Sequence, residues 1–198
     1  MPDNLFHEFS AVILAGGRSR RMGRDKALLP FGGDSTLAEY QYRRLKRLFA
    51  HVYLSAKSDK FPFDAPLIAD EAPESSPMIA LASILRHTSE EGVLLLGVDM
   101  PFVPDKLIRR LLREADAHPE AEIVAARSPH GPEPLCALYR RSLLPRVDTM
   151  IASGTHRLRT LLENSETRYV PVDNSESLSN LNRPEEYEKA IKTLSVEC

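Results

Sequence analysis

The chain has 198 residues, of which 42% are hydrophobic and 27% are charged, and its formal net charge is −2 at pH 7. These values predict one folded domain and exclude an intrinsically disordered chain. The near balance of acidic and basic residues argues against a dedicated nucleic-acid binder and a polybasic membrane binder. The two cysteines, Cys136 and Cys198, are far apart and form no CxxC motif, which argues against a disulfide framework and a cysteine zinc site.

Neither the first residues nor the apolar runs predict export or membrane insertion. The N-terminal segment carries Asp3 and Glu8 and lacks the apolar core of a secretory signal. The longest strongly apolar run, 93–98, is far shorter than the ~20 residues that a membrane-spanning helix needs. We therefore expect a cytoplasmic protein that binds neither a membrane nor a nucleic acid.

Short apolar runs alternate with amphipathic segments along most of the chain. Several runs are apolar at consecutive positions, which is typical of strands covered on both faces. The runs predicted to be strands are 11–15, 51–56, 66–69, 93–98, 123–126, 135–139 and 168–172. Helices are predicted after the capping-box pattern that starts at Thr36, over 78–86, after Pro104, over 157–163 and over 184–193.

This alternation predicts an α/β fold with a single three-layer, Rossmann-like domain. The central sheet is expected to be mostly parallel, with helices on both of its faces. The last third of the chain is rich in proline and less regular, and we expect it to add mixed strands and long loops that form one wall of the site.

The segment that follows the first predicted strand carries the clearest chemical signal. Gly16 and Gly17 allow backbone N–H groups to approach a ligand closely. Five cations follow, opposed only by Asp25: Arg18, Arg20, Arg21, Arg24 and Lys26. Because ligands bind at the carboxyl edge of such sheets, we expect this loop to bind a triphosphate. The alternative is a tight turn followed by a solvated basic loop.

Two common phosphate-binding motifs do not fit this loop. A Walker A motif fails because Arg21 and Met22 stand five residues after Gly16 and Gly17, where a second glycine is required. The dinucleotide motif GxGxxG fails because Arg18 occupies the position of its second glycine. The loop therefore requires a different phosphate-binding family.

Two carboxylates end predicted strands near the same edge. Asp99 follows the run 93–98, where it is placed to hold Mg²⁺ together with phosphate oxygens. Its alternative role is to cap the turn into the helix after Pro104. Asp70 ends the run 66–69, and its alternative is a solvated loop acid.

The phrase LAGGRSRRMGRDK (14–26) resembles the nucleotide-binding loop of NTP transferases, which join a nucleoside monophosphate to a phosphorylated acceptor. EPLCALY (133–139) and NLNRPEE (180–186) are similar to segments of molybdenum cofactor guanylyltransferases in particular. The resemblance runs from about residue 11 to residue 187. It implies one nucleotidyltransferase domain over 1–198, of the nucleotide-diphospho-sugar transferase type. The nucleotide half is expected at about 10–105 and the acceptor half at about 106–190.

The resemblance implies transfer of GMP from GTP to the terminal phosphate of molybdenum-molybdopterin, with Mg²⁺ as the cofactor and pyrophosphate as the second product. GTP, a molybdopterin-type acceptor and proteins that insert molybdenum or deliver the cofactor to molybdoenzymes are the expected partners. Within the superfamily, the alternative is a cytidylyltransferase or another NTP transferase that acts on the same pterin or on a sugar or isoprenoid phosphate. A catalytically inactive nucleotide-binding partner protein is the alternative from another class.

The resemblance also assigns roles to individual residues. Those expected in catalysis are Lys26, Asp99 and Arg21, with Asp99 as the metal ligand. Those expected to contact GTP are Leu14, Ala15, Gly16, Gly17, Arg18, Lys26, Ser55, Asp70 and Asp99. Those expected to bind the pterin acceptor are Arg157, Asn180 and Asn182.

Some positions depart from the family's pattern or carry a second expectation. Ser55 stands where relatives carry Asn, Ser76 replaces a glycine that is common in relatives, and Ala80 replaces a later small residue or glycine. Gly154 and Thr155 are expected to cap a helix whose first turn bears two arginines.

Overall fold

Seven strands form one mixed sheet in the computed structural model, which describes residues 6–16, 24–69 and 76–196, with side chains to residue 192. The strands are β1 (Phe9–Leu14), β2 (Val52–Ala56), β3 (Leu67–Ala69), β4 (Gly92–Gly97), β5 (Ile123–Ser128), β6 (Gly131–Arg140) and β7 (Thr167–Pro171). Their order across the sheet is β3-β2-β1-β4-β6-β5-β7. Only β6 runs antiparallel to its neighbours, β4 and β5, among these described strands.

Six α-helices surround the sheet in the described parts of the chain: α1 (Leu37–Leu45), α2 (Pro77–His87), α3 (Asp105–Ala117), α4 (Leu144–Ala152), α5 (Leu158–Glu163) and α6 (Pro184–Val196). Successive residues of β1 point to opposite faces of the sheet. Ala11 and Ile13 join a core with α1, α3 and α6, whereas Val12 joins a second core with α2, α4 and α5. The predicted three-layer architecture is therefore confirmed.

Local sequence signals explain where α1 and α2 begin. The Thr36 hydroxyl accepts the Glu39 N–H at 3.0 Å, as the capping-box pattern predicts. The Glu39 carboxylate, however, bonds back to Ser35 rather than to Thr36. Ser76 caps α2 by accepting the Ile79 N–H at 3.2 Å, and its φ of −137° requires no glycine.

The segment before α5 differs from the prediction. The helix begins at Leu158, and Arg157 is its N-cap residue without a side-chain capping bond. Gly154 has a φ of 79°, which belongs to the turn that ends α4. The expected cap at Gly154 and Thr155 is therefore wrong, because these residues complete the preceding helix. α4 itself was not predicted from the sequence.

The strand directions determine which segments meet at one edge of the sheet. The carboxyl ends of β1, β2, β3 and β4 lie together because these strands are parallel. The amino end of β6 joins them because β6 runs the opposite way beside β4. Within the residues the structure covers, we find no helix whose length and apolar character would let it cross a membrane.

Candidate active site

Lys26 and Asp99 meet at the carboxyl edge of the sheet. Lys26 lies in a 3₁₀ turn (Lys26–Leu28) that follows the basic loop, and Asp99 lies just beyond β4. Lys26 Nζ donates to Asp99 Oδ2 at 2.6 Å, and both side chains are only 15% exposed. The Leu14 carbonyl accepts the Val98 N–H at 3.2 Å, so the end of β1 lies beside the same strand end. The structure thus brings Lys26 and Asp99 to the end of β1 at Leu14 and Ala15, and Gly16 is the next residue of the chain.

The segment that precedes α6 also reaches this edge. Asn182 Oδ1 accepts a second hydrogen bond from Lys26 Nζ, at 2.9 Å. The Leu181 N–H donates to the Asp99 carbonyl at 2.8 Å. The Glu186 carboxylate accepts the N–H groups of Asn182 and Arg183, at 2.6 and 2.9 Å. These bonds fix Asn182 beside Lys26, although the two residues are 156 positions apart.

Gly97 makes room for the carboxylate of Asp99. A Cβ atom at Gly97 would lie 2.8 Å from Asp99 Oδ1, too close for an ordinary contact. Asp99 therefore keeps a hard oxygen ligand at the sheet edge that suits Mg²⁺. Among the described residues, no cluster of three or more His, Cys, Asp or Glu side chains could hold a metal ion. Mg²⁺ often needs only one or two carboxylates when phosphate oxygens and water complete its shell, so Asp99 fits this role.

Glu133 is a second acidic residue near Asp99 that the sequence analysis did not single out. It lies near the start of β6, and its carboxylate accepts the Leu135 N–H at 3.1 Å. Burial raises the pKa of Glu133, and the negative charge of Asp99 raises it further. The Leu135 N–H and the positive charge of Arg159 act in the opposite direction and lower this pKa. The antiparallel pairing of β6 with β4 brings Glu133 to this edge, and a local pattern carries no signal for that pairing.

Arg159, for which no role was predicted, lies beside the start of β6. A Cβ atom at Gly131 would lie 2.6 Å from Arg159 Nη2, and Gly131 has a φ of +126°, which favours glycine. Arg157 is exposed at the start of α5. The role of Arg157 toward the acceptor stays a prediction, and Arg159 is the arginine whose charge acts on Glu133.

The other predicted nucleotide contacts have different positions. Ser55 pairs with Leu14 in the sheet and is fully buried, and its carbonyl accepts the Ala15 N–H at 2.9 Å. Its contact with the nucleotide stays a prediction. The remaining predicted residues lie outside the described residues: Gly17, Arg18, Arg21 and Asp70.

A cavity of about 650 Å³ lies beside the segment that holds Asn182. It is lined by Phe102, Pro104 and residues from the segment 174–190, including Asn180. The Asn180 Oδ1 atom is buried and has no hydrogen-bond partner within the part of the chain that the structure describes. Neighbouring residues of one segment thus face two places: Asn182 faces Lys26, and Asn180 lines the cavity.

Lys60, between β2 and β3, reaches the base of the basic loop. Its Nζ donates to the Ala15 carbonyl at 3.0 Å and pairs with the Asp25 carboxylate. Asp25 in turn caps the turn that carries Lys26, since its Oδ1 accepts the Ala27 N–H at 3.1 Å. The sequence analysis did not identify Lys60, because a lone lysine in a loop gives no signal of its partners.

Comparison with known proteins identifies relatives over most of the chain. The profile of the MobA-like NTP transferase domain matches residues 11–170. A molybdenum cofactor guanylyltransferase of Campylobacter jejuni subsp. doylei is 35% identical over 185 residues, which cover 92% of this chain and 95% of the relative. A probable molybdenum cofactor guanylyltransferase of Mycobacterium bovis is 37% identical over 179 residues, with 87% and 88% of the two chains covered.

Solved structures show the same fold. The molybdopterin-guanine dinucleotide biosynthesis protein A of Archaeoglobus fulgidus has a TM-score of 0.81 at 22% identity, with 94% of this chain and 99% of that chain covered. A CMP:2-keto-3-deoxy-manno-octonic acid synthetase complexed with CTP has a TM-score of 0.79 at 15% identity, with 96% and 99% covered. At these low identities the structural likeness shows the fold alone. It confirms the predicted fold of the nucleotide-diphospho-sugar transferase type. From the domain match and the relatives that are more than a third identical, the chain belongs to the MobA-like NTP transferases, among the molybdenum cofactor guanylyltransferases.

Proposed function

We propose that this protein is an Mg²⁺-dependent guanylyltransferase that transfers GMP from GTP to the terminal phosphate of a molybdopterin-type acceptor. An oxygen of that phosphate attacks the α-phosphorus of GTP, the bond to the β-phosphate breaks, and pyrophosphate leaves. The observation that carries the proposal is the meeting of Lys26, Asp99 and Asn182 where the basic loop ends. Membership of the family supports the choice of reaction.

The acceptor itself supplies the nucleophile. The second pKa of a phosphate monoester is about 6, so most of the acceptor is deprotonated at pH 7. Catalysis then depends on alignment and on neutralisation of charge, and it requires no covalent enzyme intermediate. Cys136 is a poor candidate for such an intermediate, since burial raises its pKa to about 12.

Lys26 and Asp99 divide the electrostatic work in this proposal. Lys26 binds the triphosphate, and its bonds to Asp99 and Asn182 hold its ammonium group at the sheet edge before the substrate binds. Asp99 holds Mg²⁺. When it is bound, this Lewis acid withdraws electron density from the phosphate oxygens. Arg21 is assigned to the same work on the resemblance alone.

The acceptor side lies along the segment before α6. Asn182 touches Lys26, so a group bound by Asn182 lies next to the triphosphate. Asn180 offers an amide to the adjacent cavity, whose volume suits a small organic ligand. We assign Asn180, Asn182 and Arg157 to the acceptor, with Arg157 as a binding partner for its phosphate.

The test compares pyrophosphate release from GTP and from CTP by the purified protein with Mg²⁺ and molybdenum-molybdopterin. We expect release from GTP, formation of the guanine dinucleotide cofactor, and loss of both after chelation of the metal. Release from CTP alone would support a cytidylyltransferase. Binding of GTP without pyrophosphate release in the presence of a competent acceptor would instead support an inactive nucleotide-binding protein.

The same proposal places the reaction in the cytoplasm. Proteins that insert molybdenum or deliver the finished cofactor to molybdoenzymes are its expected partners. Co-purification of the tagged protein with such partners from the cytoplasmic fraction tests this assignment.

A further inference from the structure

We propose that Lys60 is a positioning residue: it contacts both ends of the basic loop and thereby fixes the position of Lys26. This inference rests on the proposed function, because it assumes that the loop binds a nucleoside triphosphate. Lys60 lies in the segment between β2 and β3, far in sequence from both of its partners.

One ammonium group contacts both sides of the loop. Lys60 Nζ donates to the Ala15 carbonyl at 3.0 Å, directly before the basic loop (16–26), and pairs with Asp25, near the end of that loop. The side chains of Lys60 and Asp25 are 25% and 30% exposed, so water screens this pair only in part. The pair therefore holds Asp25, and with it the turn that begins at Lys26, against the end of β1.

The contact continues to Lys26 through the turn that carries it. Asp25 is paired with Lys60 through one carboxylate oxygen and caps the turn through the other, which accepts the Ala27 N–H. Lys26 is the first residue of that turn. A shift of Asp25 therefore moves the backbone from which Lys26 reaches Asp99 and Asn182.

Charge gives the pair a second effect. Asp25 is the acidic residue among the five cations of the loop. An unpaired carboxylate there would repel a triphosphate, whereas the pairing with Lys60 neutralises it. The Lys60 ammonium also lies 5.5 Å from the centroid of the Phe61 ring, a cation–π contact that helps to hold this charge beside the loop.

The experiment is a double-mutant cycle on the Kd of Mg–GTP, measured by calorimetry. Lys60→Met is expected to raise the Kd about tenfold, because it releases Asp25 and leaves its carboxylate unpaired. Asp25→Asn is expected to raise the Kd by a smaller factor, because it loses the pairing with Lys60 but also removes the carboxylate. The double variant is expected to be no worse than Lys60→Met, because both changes remove one interaction. Lys60→Arg is expected to stay within about threefold of the wild type, because arginine keeps the cation. The KM for the acceptor is expected to stay unchanged in all four variants.

Lys46→Met is the matched control. Lys46 also donates to a backbone carbonyl, that of Ala50 at 3.1 Å, but it lies at the opposite edge of the sheet before β2. We expect this variant to keep the wild-type Kd. The amide oxygen introduced by Asp25→Asn can still cap the turn, so Asp25→Asn and Lys60→Arg decide the question even if Lys60→Met fails to fold.

Three results would overturn the inference. An unchanged Kd in Lys60→Met with only a lower Tm would show a merely structural lysine. An unchanged Kd in Asp25→Asn beside a raised Kd in Lys60→Met would show that Lys60 acts on the nucleotide directly. Additive effects in the double variant would show two separate roles. If the wild type binds CTP and not GTP, the proposed function fails, but the same variants measured with CTP still test Lys60.

Discussion

Lys26 and Asp99 stabilise each other's charge at the carboxyl edge of the sheet. Both side chains are mostly shielded from water and lie 2.6 Å apart, so their attraction is screened less than that of an exposed ion pair. Their other contacts are both with the segment before α6, where Asn182 accepts a bond from the lysine and the Leu181 N–H donates to the backbone carbonyl of Asp99. The pair is therefore the point at which the loop, β4 and the segment before α6 are joined.

Lys26→Ala and Asp99→Ala should each lower turnover at least ~100-fold, the scale expected for the loss of one electrostatic partner of the transition state. Both variants should fold and unfold cooperatively, because the pair lies at the sheet edge outside the two cores. Pyrophosphate release and thermal unfolding measure the two effects. Lys46→Ala and Asp116→Ala, exposed at the other edge of the sheet, are the controls. Near-normal turnover in Asp99→Ala would contradict its role as metal ligand.

Glu133→Gln should stabilise the protein at pH 7.5 and lose this advantage as the pH falls toward about 4. Burial raises the pKa of Glu133 in the folded protein above the unfolded value of about 4.3. The folded state therefore binds the proton of Glu133 more tightly than the unfolded state does. The ionised carboxylate lowers the free energy of unfolding only at pH values above about 4.3. Glutamine can still accept the Leu135 N–H. Thermal unfolding at both pH values measures the difference.

Glu188→Gln on α6 is the control for this prediction, because Glu188 is an exposed glutamate. Its Tm should change by little at either pH. A gain in Tm for Glu133→Gln that is equal at pH 7.5 and pH 4 would show that the stabilisation does not come from the titration of Glu133.

At the scale of elements, the segment before α6 should serve both substrates. Asn182→Ala removes a bond to Lys26, so we expect it to raise the KM for GTP and for the acceptor. Asn180→Ala should raise the KM for the acceptor about tenfold and leave the Kd of Mg–GTP unchanged, since Asn180 lines the cavity. Steady-state kinetics and calorimetry separate the two. A change in the Kd of Mg–GTP for Asn180→Ala would contradict the division of roles.

Elements with strong local patterns were predicted well from the sequence. All seven strands were located, because two-sided burial leaves consecutive apolar residues in runs such as β4. α3 follows Pro104, where a helix is predicted, and its buried residues recur at helical spacing: Leu107, Ile108, Leu111, Leu112 and Ala115. α4 was missed, and the cap of α5 was misplaced, because Gly154 reads equally well as the end of one helix or the start of the next.

The site was predicted in part, and the limits have a physical cause. Lys26 and Asp99 follow recognisable loops and strand ends, and the parallel strands bring them together. Lys60, Glu133 and Arg159 reach the site only through the tertiary arrangement of β2, β6 and α5, and nothing in their neighbouring residues marks them. The contact of Asn182 with Lys26 was likewise not predicted from the sequence.

At the scale of the whole molecule, Cys136 should report global unfolding. Burial raises the pKa of its thiol to about 12, so almost no thiolate exists in the folded protein at pH 8. In a Cys198→Ser variant, where Cys136 is the only cysteine, an alkylating reagent should therefore label it only after unfolding. Mg–GTP at 100 times its Kd should slow the labelling about 100-fold, since it stabilises the folded state by ~2.7 kcal/mol.

Mass spectrometry of the labelled protein over time gives both rates. Fast labelling of Cys136 under native conditions would show that the core around β6 opens locally. An unchanged rate with GTP present would show that the nucleotide does not bind the folded chain.

The bond between Lys26 and Asn182 spans 156 positions, and the Tyr187 hydroxyl reaches back to the Pro30 carbonyl. Translation proceeds from the N-terminus at about 5–20 residues per second. A ribosome-bound chain thus displays the lysine and the carboxylate for several seconds before the asparagine has been made. The three groups can meet only after the segment that carries Asn182 has left the exit tunnel, so a polypeptide that ends before this segment lacks the finished pocket even when most of its sheet is present.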